Sequence, residues 1–87
     1  MKEKEKVVTV KIYTTSWCGD CLRTKAYLDQ RGIAYEEINL DRTPEAAEFV
    51  KSVNRGKRKV PTLVVGDEVF HNSPYNRAIL DAHFKPD

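Results

Sequence analysis

The sequence has few of the residues that mark specialised chains. It contains only 2 cysteines, 4 glycines and 4 prolines among 87 residues, which excludes a disulfide scaffold, a collagenous chain and a low-complexity chain. Neither sign of charge dominates, because 15 Lys and Arg are balanced by 13 Asp and Glu. A net charge of +2 is too small for a dedicated nucleic-acid binder, so we expect no nucleic-acid partner.

Long apolar runs are also missing. No segment approaches the roughly 20 apolar residues of a membrane span, or forms the apolar core of a signal peptide, so we expect a cytoplasmic protein without membrane association. The alternating Lys and Glu at the start bury nothing and predict a charged flexible tail at residues 1–6. The 40% apolar content indicates one small domain over residues 7–87, which we expect to be a monomer.

The first half of the chain has the pattern of two strand-then-helix units. Alternation of apolar and polar residues from Val8 predicts a strand that ends near Tyr13. A helix is predicted from near Cys18 to Arg31 and stops at Gly32. Its apolar face is predicted at Leu22 and Ala26, with Cys21 and Leu28 beside them.

The next unit is a strand over residues 33–40 and a helix capped by Thr43, with Pro44 and Glu45 in its first turn. One apolar face of this helix is predicted at Ala46, Phe49, Val50 and Val53.

The second half predicts a hairpin and a closing helix. Two apolar runs, Thr62–Val65 and Glu68–His71, flank Gly66-Asp67, a pair suited to a tight turn. Ser73-Pro74 repeats the cap-then-proline signal before a last helix. The apolar face of that helix is predicted at Tyr75, Ala78, Ile79 and Ala82. The order β-α-β-α-β-β-α implies an α/β fold with a mixed four-stranded sheet, its first pair parallel, flanked by helices.

The two cysteines lie at the predicted junction of the first strand and the first helix. A helix N-terminus favours an anion, so Cys18 is expected to form a thiolate more readily than a free cysteine, whose pKa is about 8.5. Cys21 follows one turn later, within reach of a mixed disulfide on Cys18, and is expected to be more buried. The spacing therefore predicts a nucleophile at Cys18 and a resolving thiol at Cys21.

Two structural alternatives account for the same pair. One is a stabilising cross-link, although so short a loop restricts the unfolded chain little. The other is half of a zinc site, for which His71 and His83 are the remaining histidines, without the short spacing of a zinc finger. We expect no metal at this site and treat both histidines as structural.

At these residues the sequence resembles a known family. The run Tyr13–Cys21, the later Val60-Pro61-Thr62 and the glycine hairpin look like a glutaredoxin of the thioredoxin superfamily, most similar to mycoredoxins. The resemblance implies a thioredoxin fold and a thiol-disulfide oxidoreductase that acts on disulfide-containing or S-thiolated proteins. It implies no bound cofactor, and a small thiol, mycothiol or glutathione, with its reductase as the source of electrons.

The resemblance also implies a substrate site around Cys18. A cis peptide bond before Pro61 would place the Val60 backbone beside the nucleophile, where a substrate backbone can pair with it. Substrate contacts are expected at Lys11, Trp17, Lys59, Val60, Pro61, Asn72 and Ser73. Lys59 and Asn72-Ser73 depart from glutathione-using relatives, which carry Thr before Val-Pro and Gly-Gly followed by an acid or Ser.

Two charged features bear on specificity. The carboxylate of Asp20 repels a Cys18 thiolate, and we expect it to temper thiolate formation and to disfavour acidic partners. The basic run 55–59 is either a solvated loop or a patch that attracts carboxylates of a small thiol or an acidic protein to the site.

Two other functions fit the sequence. One is a thioredoxin-like hydrogen donor reduced by a flavin thioredoxin reductase, which the Trp17-Cys18-Gly19 run and the missing Gly-Gly favour. The other is a noncatalytic module that holds an iron-sulfur cluster between two subunits through Cys18.

Overall fold

The computed structural model describes residues 9–84. The elements are β1 (Val10–Thr14), α1 (Gly19–Gln30), β2 (Glu36–Asn39), α2 (Ala46–Val53), β3 (Thr62–Val65), β4 (Glu68–His71) and α3 (Arg77–His83). The predicted element order is confirmed. The tail predicted at residues 1–6 lies outside the described residues.

The four strands form one mixed sheet in the order β2-β1-β3-β4. The strand β1 runs parallel to β2 and antiparallel to β3, and β3 pairs antiparallel with β4. The hairpin has the predicted strand bounds, and Gly66 has the positive φ of 60° that its tight turn requires. This topology brings the ends of β1 and β2 to the same edge as the start of β3.

The core lies between the sheet and two of the helices. Ile12 and Leu63 point from the sheet into a cluster with Leu28 of α1 and Leu80 of α3. Alternation along β1 buries Val10, Ile12 and Thr14, whereas Lys11 and Tyr13 are half-buried. The Tyr13 ring packs at 5.0 Å from the Phe49 ring of α2. Helices therefore cover the sheet, as predicted.

The helix α1 carries a different buried face from the predicted one. Leu22 is 63% exposed and Ala26 is also exposed. The buried residues are Cys21, Thr24, Tyr27 and Leu28. Because Thr24 is polar, the sequence does not show this face as an apolar stripe. Thr24 can be buried because its hydroxyl accepts a hydrogen bond from Asn72.

The end of α1 agrees with the prediction to within one residue. Gly32 follows the helix with a φ of 68°, and its N–H donates to the Asp29 carbonyl at 3.1 Å. The Ile33 N–H donates to the Leu28 carbonyl at 2.9 Å, which completes a Schellman motif. With 12 residues α1 is the longest described helix, and no helix within residues 9–84 is long and apolar enough to cross a membrane.

Three boundaries differ from the sequence prediction. The strand β2 covers residues 36–39 rather than 33–40. Thr43 does not cap α2 with its hydroxyl; instead its carbonyl accepts the Ala46 N–H at 3.0 Å, and this tighter turn delays the helix to Ala46. Ser73 does not cap α3, because Asn76 is the cap and its Oδ1 accepts the Ala78 N–H at 2.9 Å.

The predicted faces of the last two helices are correct only in part. Val50 is buried and Ile79 is half-buried, but Val53 is 39% exposed. Ala78 and Ala82 are exposed, and Leu80 takes the buried position in α3.

Candidate active site

Cys18 is the N-cap residue of α1. Its extended backbone, with a φ of −120°, ends the loop from β1, and its carbonyl accepts the Leu22 N–H at 3.1 Å. Its Sγ accepts the backbone N–H of Cys21 at 3.0 Å. An anion at this sulfur is stabilised by that hydrogen bond and by the positive end of the helix dipole.

The two sulfurs are joined as a disulfide, with 5.1 Å between the Cα atoms. Cys21 is 1% exposed, whereas Cys18 is half-buried. A substrate disulfide can therefore approach Cys18 from solvent but not Cys21. The structure separates the pair into an accessible sulfur and a shielded one, in the order that the sequence predicts.

The loop before β3 places a backbone carbonyl beside Cys18. The Val60-Pro61 peptide bond is cis, and the Val60 oxygen lies 3.7 Å from the Cys18 Sγ, as the resemblance implied. The Thr62 hydroxyl steadies this loop by donating to the Lys59 carbonyl at 2.7 Å. No hydrogen bond among residues 9–84 uses the Val60 N–H, and its pairing with a substrate backbone stays a prediction.

Asn72, a predicted contact for the small thiol, has 1% of its surface exposed. Its Nδ2 donates to Thr24 at 3.2 Å, and its Oδ1 accepts the Asn76 N–H at 3.0 Å. Its own N–H donates to the Pro61 carbonyl at 2.9 Å. The side chain therefore joins α1 to the start of α3, and the backbone of Asn72 joins the same loop to Pro61; a contact of Asn72 with a small thiol stays a prediction.

Ser73 does reach the neighbourhood of the cysteines, through Asp20. The Asp20 carboxylate accepts from Arg23 at 2.6 Å and from the Ser73 hydroxyl at 3.5 Å. The Arg23 hydrogen bond holds the pKa of Asp20 below its usual value, against a smaller opposing effect of burial. Asp20 is thus ionised at neutral pH. Sequence analysis missed Arg23, although its spacing of three residues from Asp20 is a signal for such a pair.

The other predicted contacts are more dispersed. Trp17 is 98% exposed and projects into solvent beside Cys18. Lys59 lines a depression of about 260 Å³ with Arg55, Lys57 and His71. Lys11 lines a separate depression with Tyr13 and other residues, so the structure does not group it with Cys18.

A groove of about 720 Å³ reaches the cysteines from the side of β2. Its wall includes Cys18, Cys21, Leu22, Lys25 and Glu37. Glu37 accepts from the buried Thr14 hydroxyl at 2.7 Å and pairs with Lys25 at 3.0 Å. Burial raises the pKa of Glu37, but the hydrogen bonds from Thr14 and Lys25 outweigh it and leave the pKa lowered. No sequence pattern singles out this pair, because both residues read as ordinary surface charges.

This pair predicts an acid-sensitive contribution to stability. Because the pKa of Glu37 in the folded protein lies below that of an ordinary glutamate, its carboxylate stabilises the fold above the unfolded-state pKa, and the effect is lost as the pH falls through the folded-state pKa. We expect Glu37→Gln to be less stable than the wild type at pH 7 and to approach it at pH 3. Urea unfolding at both pH values measures the difference, with Glu45→Gln, an exposed carboxylate, as control. A constant difference would contradict the assignment.

The histidines make structural contacts. The His71 Nδ1 accepts the Ser73 N–H at 3.4 Å, and the His83 ring stacks on Phe70 at 3.7 Å. Among residues 9–84 no three His, Cys, Asp or Glu side chains are grouped as metal ligands.

The fold and the cysteine pair together define a thiol-disulfide oxidoreductase with the thioredoxin fold. The family model for glutaredoxin matches residues 10–70, and the chain belongs to the glutaredoxin family.

Three similar proteins support this placement. A Mycobacterium tuberculosis protein with glutaredoxin in its name is 55% identical over 56 residues, covering 64% of this chain and 67% of the relative. Mycoredoxin 1 of Corynebacterium glutamicum is 43% identical over 71 residues, covering 82% of this chain and 87% of the relative. The solved structure of the glutaredoxin-like protein NrdH-redoxin from Escherichia coli has a TM-score of 0.75 at 32% identity, covering 91% of this chain and 97% of that one.

Proposed function

We propose that this protein reduces mixed disulfides between proteins and a small thiol, and protein disulfides, in the manner of a glutaredoxin or mycoredoxin. The Cys18 thiolate attacks the small-thiol sulfur, a new disulfide forms between Cys18 and the small thiol, and the protein thiolate leaves and takes up a proton. The observation that carries the proposal is the capping sulfur of Cys18, half-buried and 3.0 Å from the Cys21 N–H.

Two routes complete the cycle. A second small thiol attacks the mixed disulfide on Cys18 and releases the reduced enzyme together with an oxidised small-thiol dimer. Alternatively Cys21 attacks Cys18, the small thiol leaves, and the Cys18–Cys21 disulfide of this structure remains. Reduction of that disulfide then needs two electrons, supplied by small thiols and their reductase. The protein works as a cytoplasmic monomer and needs no bound cofactor in this scheme.

The substrate lies across the Val60-Pro61 edge. The Val60 N–H and carbonyl pair with its backbone beside the attacked sulfur. Trp17 supplies an exposed aromatic surface for a protein partner, and Lys59 with its basic neighbours attracts negative charge.

A second candidate is a thioredoxin-like hydrogen donor. It is favoured by the similarity to NrdH-redoxin, whose solved structure is described as explaining a thioredoxin-like activity profile, and by the burial of the Asn72 side chain. In this alternative a flavin thioredoxin reductase reduces the Cys18–Cys21 disulfide.

Reduction of the oxidised protein by three matched systems separates these functions. Each assay supplies NADPH with one system: mycothiol and its reductase, glutathione and its reductase, or thioredoxin reductase. We expect a small-thiol system to support turnover at least about tenfold faster than thioredoxin reductase, with S-thiolated protein as substrate. Faster turnover with thioredoxin reductase assigns the second function, and turnover with none of the systems contradicts both.

A further inference from the structure

The first turn of α1 carries an ion pair between Asp20 and Arg23, and a hydrogen bond from Ser73 joins this pair to the loop that precedes α3. Asp20 lies two residues after Cys18, and its side chain is 25% exposed. One carboxylate oxygen accepts from the Arg23 guanidinium at 2.6 Å, and the other from the Ser73 hydroxyl at 3.5 Å. The backbone N–H of Tyr75 also contributes to the lowered pKa of this carboxyl group.

These partners make up the kind of donor set that binds a carboxylate. A guanidinium, a hydroxyl and a backbone N–H are all donors, and Arg is the side chain best suited to carboxylate recognition. The guanidinium of Arg23 is held near this loop, 5.8 Å from the Tyr75 ring centroid. In this protein the carboxylate that these donors bind belongs to Asp20, which lies on the same helix as Arg23.

The donor set lies next to the place where the substrate docks. Asn72 precedes Ser73 and donates its N–H to the Pro61 carbonyl at 2.9 Å. The loop that carries Ser73 is therefore held against the Val60-Pro61 edge, on the side of α1. A small thiol attached to Cys18 has to pass close to the Asp20 carboxylate if it extends in this direction.

A group of basic side chains also lies near the substrate edge, around Lys59. Arg55, Lys57 and Lys59 line one depression there, and no ion pair within residues 9–84 involves any of them. The substrate edge thus adjoins both a carboxylate, Asp20, held by Arg23 and Ser73, and a separate group of cations around Lys59.

We propose that Asp20 is a specificity-determining residue that occupies an internal carboxylate site beside Cys18 and thereby selects against small thiols carrying a carboxylate on that side. The inference rests on the proposed reaction with small-thiol mixed disulfides, and it specifies the preferred small thiols as those without a carboxylate near Asp20. Glutathione carries carboxylates at both ends, so one of them meets the Asp20 charge, whereas an uncharged thiol such as mycothiol meets no such repulsion.

Matched probes separate this role from any effect of Asp20 on the reactivity of Cys18. One neutral reporter peptide is blocked at its cysteine either by glutathione or by glutathione diethyl ester, which has the same skeleton without the carboxylate charges. The rate constant for release of the peptide thiol by the reduced protein is measured for both probes. A change in the reactivity of Cys18 alters both rates by the same factor, so the ratio of the two rates reports selection by charge alone.

We expect the wild type to prefer the ester probe. Asp20→Asn keeps the shape of the side chain and removes the charge, and it should raise the rate for the glutathione probe about tenfold relative to the ester probe, chiefly through KM. Asp20→Ser provides a second variant with a good helix-start residue. Asp67→Asn removes the same charge from the exposed hairpin turn and should leave the ratio unchanged.

Two results would overturn the proposal. One is an unchanged ratio of rates in both Asp20 variants, including the case in which both probes are accelerated equally. The other is the same shift of the ratio in Asp67→Asn, which would show that the net charge of the protein, and not the position of Asp20, sets the preference. If the wild type releases the peptide thiol and the Asp20 variants have the same ratio of rates as the wild type, only the role of Asp20 is rejected. No release from either probe rejects the proposed function together with it.

Discussion

Replacing Cys18 by Ser is expected to abolish thiol transfer from every substrate. The hydroxyl of Ser has no accessible anion at neutral pH, and the remaining Cys21 thiol is 1% exposed and cannot meet a substrate disulfide. We expect activity to fall at least about a thousandfold, to the rate without enzyme. Release of thiol from an S-thiolated peptide measures this loss, and circular dichroism confirms that the variant is folded.

Cys21→Ser is the matched control for that variant. It should retain exchange on small-thiol mixed disulfides and lose reduction of intramolecular protein disulfides. Exchange on a small-thiol mixed disulfide persists, because a second small thiol can release Cys18. Reduction of an intramolecular protein disulfide is lost, because the mixed disulfide with the protein has no internal thiol to resolve it. Full activity of Cys18→Ser, or equal loss of both activities in Cys21→Ser, would contradict the assigned roles.

Asn72→Ala is expected to cost stability and activity together. It leaves the buried Thr24 hydroxyl and the Asn76 N–H without their partner, at a cost of about 3 kcal/mol in the free energy of unfolding. The loop whose backbone donates to the Pro61 carbonyl then loses one of its hydrogen bonds to α1, so the rate of thiol transfer should fall as well. Urea unfolding and the peptide assay measure the two effects.

A double-mutant cycle isolates the Asn72 contact. Thr24→Val removes the hydroxyl at nearly constant volume, and the double variant should lose less stability than the sum of the two single variants, because the pair is already broken. Asn76→Ala removes only the cap of α3 and should cost about 1 kcal/mol. Additive losses at Asn72 and Thr24 would show that their hydrogen bond contributes nothing to the fold.

Local patterns in the sequence predicted the parts of the fold that local interactions determine. The hairpin was predicted with correct strand bounds because Gly66-Asp67 dictates its turn and alternation dictates its register. The face of α1 was predicted wrongly because Leu22 is an exposed apolar residue and Thr24 a buried polar one, and only the tertiary partner Asn72 explains the exchange. The cap of α3 was misplaced because Ser73 and Asn76 are both good caps in sequence.

In the candidate site, too, local sequence predicts some features, whereas others depend on contacts between distant parts of the chain. Cys18 and Cys21 were predictable because their spacing and their place before a helix follow from the sequence. The cis bond before Pro61 came only from the family resemblance, since most X-Pro bonds in folded proteins are trans. The pairing of Asp20 with Ser73 joins residues separated by 53 positions, and no periodic pattern reports such a contact.

Alkylation of the reduced protein tests the central claim that Cys18 is the reactive anion. A brief pulse of iodoacetamide at pH 7 is followed by trypsin, which leaves both cysteines on the peptide spanning residues 12–23, and fragmentation in the mass spectrometer locates the label. We expect the label on Cys18 and an unmodified Cys21. Preferential labelling of Cys21, or a Cys18 no more reactive than a free cysteine at the same pH, would contradict it.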